Sequence, residues 1–166
     1  MKVVIYVVEY TKINEIKKIK LKDNVIIDIF PEVQEIIFEN IQREDNSTEA
    51  GGLLVGYENI NTSNISITLA TQPQSKDKRT RYTLKLSKEH ISISEQLEWP
   101  YGYMGTWHTH PSNSPTPSFI DHKDWKQCIK ENANKTNYLI FIIAGKCGFK
   151  VWLGDCKTGK IIEGEY

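Results

Sequence analysis

Fifteen residues, Trp107–Asp121 (WHTHPSNSPTPSFID), leave this chain few ways to fold. Pro111, Pro115 and Pro117 forbid a regular element across the middle of the stretch, so it is an irregular connection. Before it, Tyr101–His110 (YGYMGTWHTH) is aromatic and β-branched and predicts a strand. After it, Phe119–Asn132 predicts a helix, with Phe119, Trp125, Cys128 and Ile129 toward the core. Ser118 and Asp121 have the spacing of a helix N-cap and its acidic third position. Strand side chains alternate, so His108 and His110 project from one face, about 6–7 Å apart, and Thr109 from the other. The connection turns the chain back, and Asp121, in the first turn of the helix, can face both imidazoles.

Two histidine nitrogens and one carboxylate oxygen make three protein ligands for zinc and leave the fourth position to water. That is the pattern of a catalytic site rather than a structural one. Each part also has a plain structural reading. Two histidines on a strand need bind nothing, and Ser118-Phe-Ile-Asp121 is sufficient as a helix cap alone. His90 and His122 have no matching spacing and are read as surface residues.

The rest of the chain alternates strands and helices. Lys2–Tyr10 and Val25–Phe30 read as strands, and Lys12–Asp23 fits either a short helix or an exposed hairpin arm. Pro31–Arg43 predicts an amphipathic helix, with Val33, Ile36, Ile37, Asn40 and Ile41 on one stripe and Glu32, Glu35, Glu39 and Gln42 opposite. Glu49-Ala-Gly-Gly-Leu-Leu-Val-Gly-Tyr57 predicts a buried strand with Glu49 at its entrance, and Ile65–Thr71 its hairpin partner. Pro73–Arg81 is a polar, basic loop, either solvated or in contact with substrate. Tyr82–Leu86 alternates, Ser87 is placed to cap a helix over Lys88–Trp99, and Pro100 ends it. Tyr138–Ala144 (YLIFIIA) predicts a central strand, Phe149–Leu153 another, and Ile161–Glu165 an edge. The expectation is an α/β fold: one domain over residues 1–166, a mixed, curved sheet flanked by two or three helices.

Composition excludes several functions. Twenty-one basic residues balance 21 acidic ones, which gives no support for a nucleic-acid partner. No apolar run reaches a membrane span, and residues 1–10 carry Lys2 and Glu9 without a cleavage site, unlike a signal peptide. Cys128, Cys147 and Cys156 are odd in number and form no CxxC pair, so three reduced thiols in a cytoplasmic protein are expected.

The set Glu49 … His108-Thr-His110-Pro111 … Ser118-x-x-Asp121 resembles the JAMM motif of the JAB/MPN/Mov34 metallopeptidases. EAGGLLVG at 49–56 resembles the strand carrying their glutamate. Residues 105–125 are most similar to a bacterial branch of single JAB domains that includes the isopeptidase of CBASS antiphage operons. The resemblance implies a JAB/MPN-like domain and a Zn2+ ion on His108, His110 and Asp121. It implies Glu49 as general base and Ser118 as a donor to the oxyanion. It also implies a deubiquitinase-like isopeptidase acting on a protein with an extended C-terminal tail. That tail would belong to a ubiquitin-like protein or to a cyclic-oligonucleotide synthase conjugate. A non-catalytic MPN scaffold normally goes with lost ligands, and here none is missing. A RadC-like DNA-associated domain shares an HxHP…PTPS stretch but fits the neutral charge poorly. A sulfur-carrier processing peptidase would use the same chemistry on another substrate.

Overall fold

The most apolar run of the chain sets the centre of the structure. Tyr138–Gly145 (β8) is buried from Leu139 onward, and its two faces feed two different cores. Ile140, Ile142 and Ala144 point into one, and Leu139, Phe141 and Ile143 into the other. A strand covered on both faces needs no polar alternation, which is why its sequence is continuously apolar. Each fully buried branched side chain contributes roughly 1.5–3 kcal/mol.

The computed structural model describes residues 15–21 and 24–165. The strand expected over Lys2–Tyr10 lies outside these residues, as does the segment read against a signal peptide. Lys17–Lys20 (β1) and Ile26–Ile29 (β2) pair antiparallel, so the described part of Lys12–Asp23 is a hairpin arm and not a helix. Pro31–Glu39 is the first helix (α1). Gly51–Glu58 (β3) and Ile65–Ala70 (β4) follow as an antiparallel pair. Lys78–Arg79 (β5) and Leu84–Lys85 (β6) form a separate two-stranded arm. Glu89–Ser94 is α2, Gly102–Thr109 β7, and Phe119–Asn132 α3. Gly148–Asp155 (β9) and Ile161–Glu163 (β10) complete the sheet.

The eight main strands run in the order β1-β2-β4-β3-β7-β8-β9-β10, parallel at β2–β4 and β7–β8 and antiparallel elsewhere. The sheet curls until its edges meet: Lys20 of β1 exchanges both backbone hydrogen bonds with Glu165, just past β10. The expected mixed, curved sheet with three helices is what is observed. Val33 and Ile37 of α1 pack into one core, and Trp125 and Ile129 of α3 into the other.

A bulge fixes which face the histidines occupy. Between Gly105, opposite Leu54, and Tyr103, opposite Val55, β7 carries one extra residue, Met104. Gly105 has φ +132° there, and a Cβ on it would lie 1.8 Å from the Ile140 carbonyl oxygen. Only glycine fits such a turn of the chain. The extra residue resets the alternation, so Trp107 and Thr109 face the α1 core and His108 faces α3.

Several expectations need correction. The helix from Pro31 stops at Glu39, not Arg43. The Asn40 backbone N–H donates to Ile37 and its side chain to Ile36, closing the last turn. Gln42, read as solvent-facing, is then drawn into the interior and is fully buried. The Lys88–Trp99 helix is limited to Glu89–Ser94, where the Ser94 hydroxyl donates to the Ile91 carbonyl. Ser87 does not cap it: the N-cap is Lys88, and the Ser87 N–H donates to Asp77. The 73–81 loop contains β5, while the Tyr82–Leu86 strand shrinks to Leu84–Lys85. Phe119 is 84% exposed, because it lies off the helical stripe defined by Trp125, Cys128 and Ile129. His90, read as a surface residue, has no exposure at all.

Candidate metal centre

The site grows from the end of β7. His108 is on the strand, and His110 lies one residue beyond it, still tied to the sheet by its N–H donating to Ala144. The two Nε2 atoms converge to 3.0 Å. Between the histidines, Thr109 turns inward, where its hydroxyl accepts from the Ala50 N–H and donates to Gln42.

Asp121 arrives from the opposite side on α3. Ser118 is the N-cap: its Oγ accepts from the Asp121 N–H at 3.1 Å, and Asp121 Oδ2 accepts from the Ser118 N–H at 2.6 Å. This is a complete capping box, and it also sets the rotamer of the carboxylate. One turn on, Trp125 stacks on Phe141 at 4.8 Å and 10° and leans on Trp152, which seats the helix on the sheet. Asp121 Oδ1 then lies 3.1 Å from His108 Nε2, and Oδ2 3.4 Å from His110 Nε2.

These spacings fit a metal. Three donors at zinc-like bond lengths in tetrahedral array would be about 3.3 Å apart. The donor atoms of His108, His110 and Asp121 all lie within 4.8 Å of one another, with closest separations of 3.0, 3.1 and 3.4 Å. Two imidazole nitrogens and a carboxylate this close together could all hold one metal ion. A backbone hydrogen bond at Thr116 helps to orient the His110 ring.

Electrostatics follow from this packing. Burial opposes the charge on Asp121, but hydrogen bonds from His108, His110 and Ser118 prevail and hold its carboxyl well below the usual range. Burial likewise opposes the charge on His110, and the hydrogen bond and charge of Asp121 prevail and raise its pKa.

Glu49 enters from the neighbouring strand. Gly51 pairs with His108 and Ala50 accepts from the Thr109 N–H, so the register places Glu49 opposite His110. Its side chain is buried. Burial pushes its pKa up to about 7, with the His110 charge pulling down and the Asp121 charge pushing up. Leu84 of β6 rests on Gly51, where a Cβ would meet its Cδ2 at 2.4 Å, so the arm closes onto the sheet beside the histidines. The result is a cleft of ≈660 Å³. Tyr82–Leu86 make one wall, Ile120, Asp124 and Gln127 of α3 the other, and Glu49, His108, His110, Ser118 and Asp121 lie along it.

The structure thus brings together all five residues singled out in the sequence. His122 stays outside, exposed, with its ring edge-on to Trp125. The arm was missed as a wall of the cleft. The alternation of Tyr82–Leu86 beside a basic loop was its only trace in the sequence.

The family model described as prokaryotic homologs of the JAB domain matches residues 33–154. The chain belongs to this family. A CD-NTase/cGAS isopeptidase from Escherichia coli (strain TW11681) is 32% identical to this JAB chain over 146 residues, which is 85% of this chain and 88% of that one. A CD-NTase/cGAS isopeptidase from Pseudomonas aeruginosa (strain BWHPSA011 / Pa011) is 31% identical over 110 residues, 63% of this chain and 68% of that one. The solution structure of a Desulfitobacterium hafniense protein superposes with a TM-score of 0.51 at 18% identity, covering 81% of this chain and 86% of that one. That likeness concerns the fold. Among the described residues, no helix is long and apolar enough to cross a membrane.

Proposed function

We propose that this JAB protein is a zinc-dependent isopeptidase. It would hydrolyse the amide bond joining the C-terminus of a CD-NTase, a cyclic-oligonucleotide synthase, to a target amine. The observation that carries this reading is the placement of buried Glu49 opposite His110, beside the three clustered donor atoms. Relatives named CD-NTase/cGAS isopeptidase support the substrate class. A role in antiphage defence in the cytoplasm follows from that substrate, and three free cysteines suit a reducing compartment.

Zinc on His108, His110 and Asp121 would supply Lewis acidity, polarising the scissile carbonyl and making water easier to deprotonate. The protein's own groups do the rest. Glu49, with its pKa near 7, can take a proton from the attacking water and return it to the leaving amine. Ser118, at the edge of the cleft, carries a hydroxyl that can turn toward the carbonyl oxygen as negative charge develops there. Lys78 and Arg79 cover one edge of β6, and an extended C-terminal tail can lie along the cleft between β6 and α3.

The test is cleavage of an isopeptide-linked CD-NTase conjugate by purified protein. Glu49→Gln should lower turnover by about a hundredfold or more while the metal stays bound. Wild-type rates from that variant would remove Glu49 as the base.

A further inference from the structure

The sheet does not hold residue 49; the β5–β6 arm does. Strand β3 begins at Gly51, and the Ala50 N–H already goes to a side chain, Thr109 Oγ1. The Glu49 N–H donates to the Thr80 carbonyl at 2.7 Å. The Glu49 carbonyl accepts from Arg79 Nε at 2.7 Å, and Arg79 Nη2 donates to Thr48 Oγ1 at 3.0 Å. Both backbone groups of Glu49 are therefore tied to two consecutive residues of the arm.

The arm is a firm support. At its root, His90 and Asp77 side chains are buried: His90 Nε2 lies 3.0 Å from both Asp77 oxygens, and His90 Nδ1 is 2.6 Å from Thr71 Oγ1. Nearer its tip, the Arg81 carbonyl accepts from Gln42 Nε2, and Gln42 also accepts from Thr109, the residue between the histidines. Arg81 reaches the carbonyls of Glu44 and Asp45.

We infer that Arg79 is a positioning residue for Glu49: its guanidinium fork ties the Glu49 carbonyl and the Thr48 hydroxyl together and so aims the Glu49 carboxyl at the His108–His110–Asp121 cluster. A fork with two fixed donors suits the task, and a lysine ammonium cannot reproduce both bonds with the same geometry. The inference rests on the proposed role of Glu49. It goes further in joining the wall of the cleft to the base through one hairpin, since Arg79 pairs with Leu84 across the arm.

The experiment compares wild type, Arg79→Met, Arg79→Lys and Glu49→Gln on the isopeptide conjugate, with zinc content measured for each. Arg79→Met should lower kcat by about tenfold to a hundredfold, the cost of a small misplacement of a catalytic group. KM and zinc content should stay at wild-type values, and Arg79→Lys should recover part of kcat. In the metal-free protein, the Glu49 amide should exchange its hydrogen faster in Arg79→Met than in wild type. Wild-type kcat in Arg79→Met, with Glu49→Gln inactive, would overturn the inference and leave the proposed function standing. Loss of zinc in Arg79→Met would also overturn it, because Arg79 would then act on the ligands. Wild-type turnover by Glu49→Gln would defeat the proposed function itself. Should Arg79→Met fail to fold, Thr48→Val removes one arm of the fork, and a smaller fall in kcat with zinc retained is expected; unchanged kcat there would count against the inference.

Discussion

Burial of the Glu49 carboxyl works against the fold once that carboxyl is ionised. A carboxyl whose pKa is raised from its usual value to about 7 binds a proton more tightly in the folded state than in the unfolded one. Its effect on stability is therefore neutral below the unfolded pKa and becomes a growing cost as pH rises toward 7. Glu49→Gln should accordingly stabilise the metal-free protein at pH 8 by about 2–3 kcal/mol, with the difference vanishing near pH 4, as read by urea denaturation. Equal stability of the two proteins at pH 8 would mean that the carboxyl is solvated. Ser118 is the helix N-cap, and under the proposed function it is also a hydroxyl donor in the cleft. Ser118→Ala should cost about 1 kcal/mol of stability through the lost cap. It should lower turnover by about a hundredfold with zinc retained, whereas loss of zinc along with turnover would assign the effect to Asp121, whose carboxylate the cap orients.

Local elements were readable where a local rule decided them. The 119–132 helix has its expected start because Ser118 and Asp121 form the box that begins it. The three-proline connection and the β8 strand follow equally from their own residues. The pairing that sets Glu49 opposite His110 spans 59 residues at the Ala50–Thr109 contact, and no periodicity encodes it. Likeness to the JAMM motif supplied what the pattern could not. The arm was hidden for the same reason: Arg79, Gln42 and His90 act through partners 30 or more, 39 and 19 residues away. The bulge at Gly105 left only a glycine as its sign. Gly105→Ala should cost about 2–4 kcal/mol in chemical denaturation, since its Cβ would overlap Ile140 and its φ would be strained. Wild-type stability would show that the strand can pair without the bulge.

The molecule as a whole is a curled sheet with its chemistry at one strand end, where β7, the entrance to β3 and the start of α3 meet. None of the three alone carries a complete site. Chelation should therefore abolish conjugate cleavage while leaving the curled sheet folded, because two large cores form without the metal. Added zinc should restore the rate, and a chelator-resistant rate would require a different chemistry. The decisive measurement is zinc per chain by elemental analysis in wild type, His108→Ala, Asp121→Ala and Glu49→Gln. One zinc is expected in wild type and in Glu49→Gln, and close to none in the other two. Full zinc in both His108→Ala and Asp121→Ala would place the metal elsewhere and contradict this account of the site.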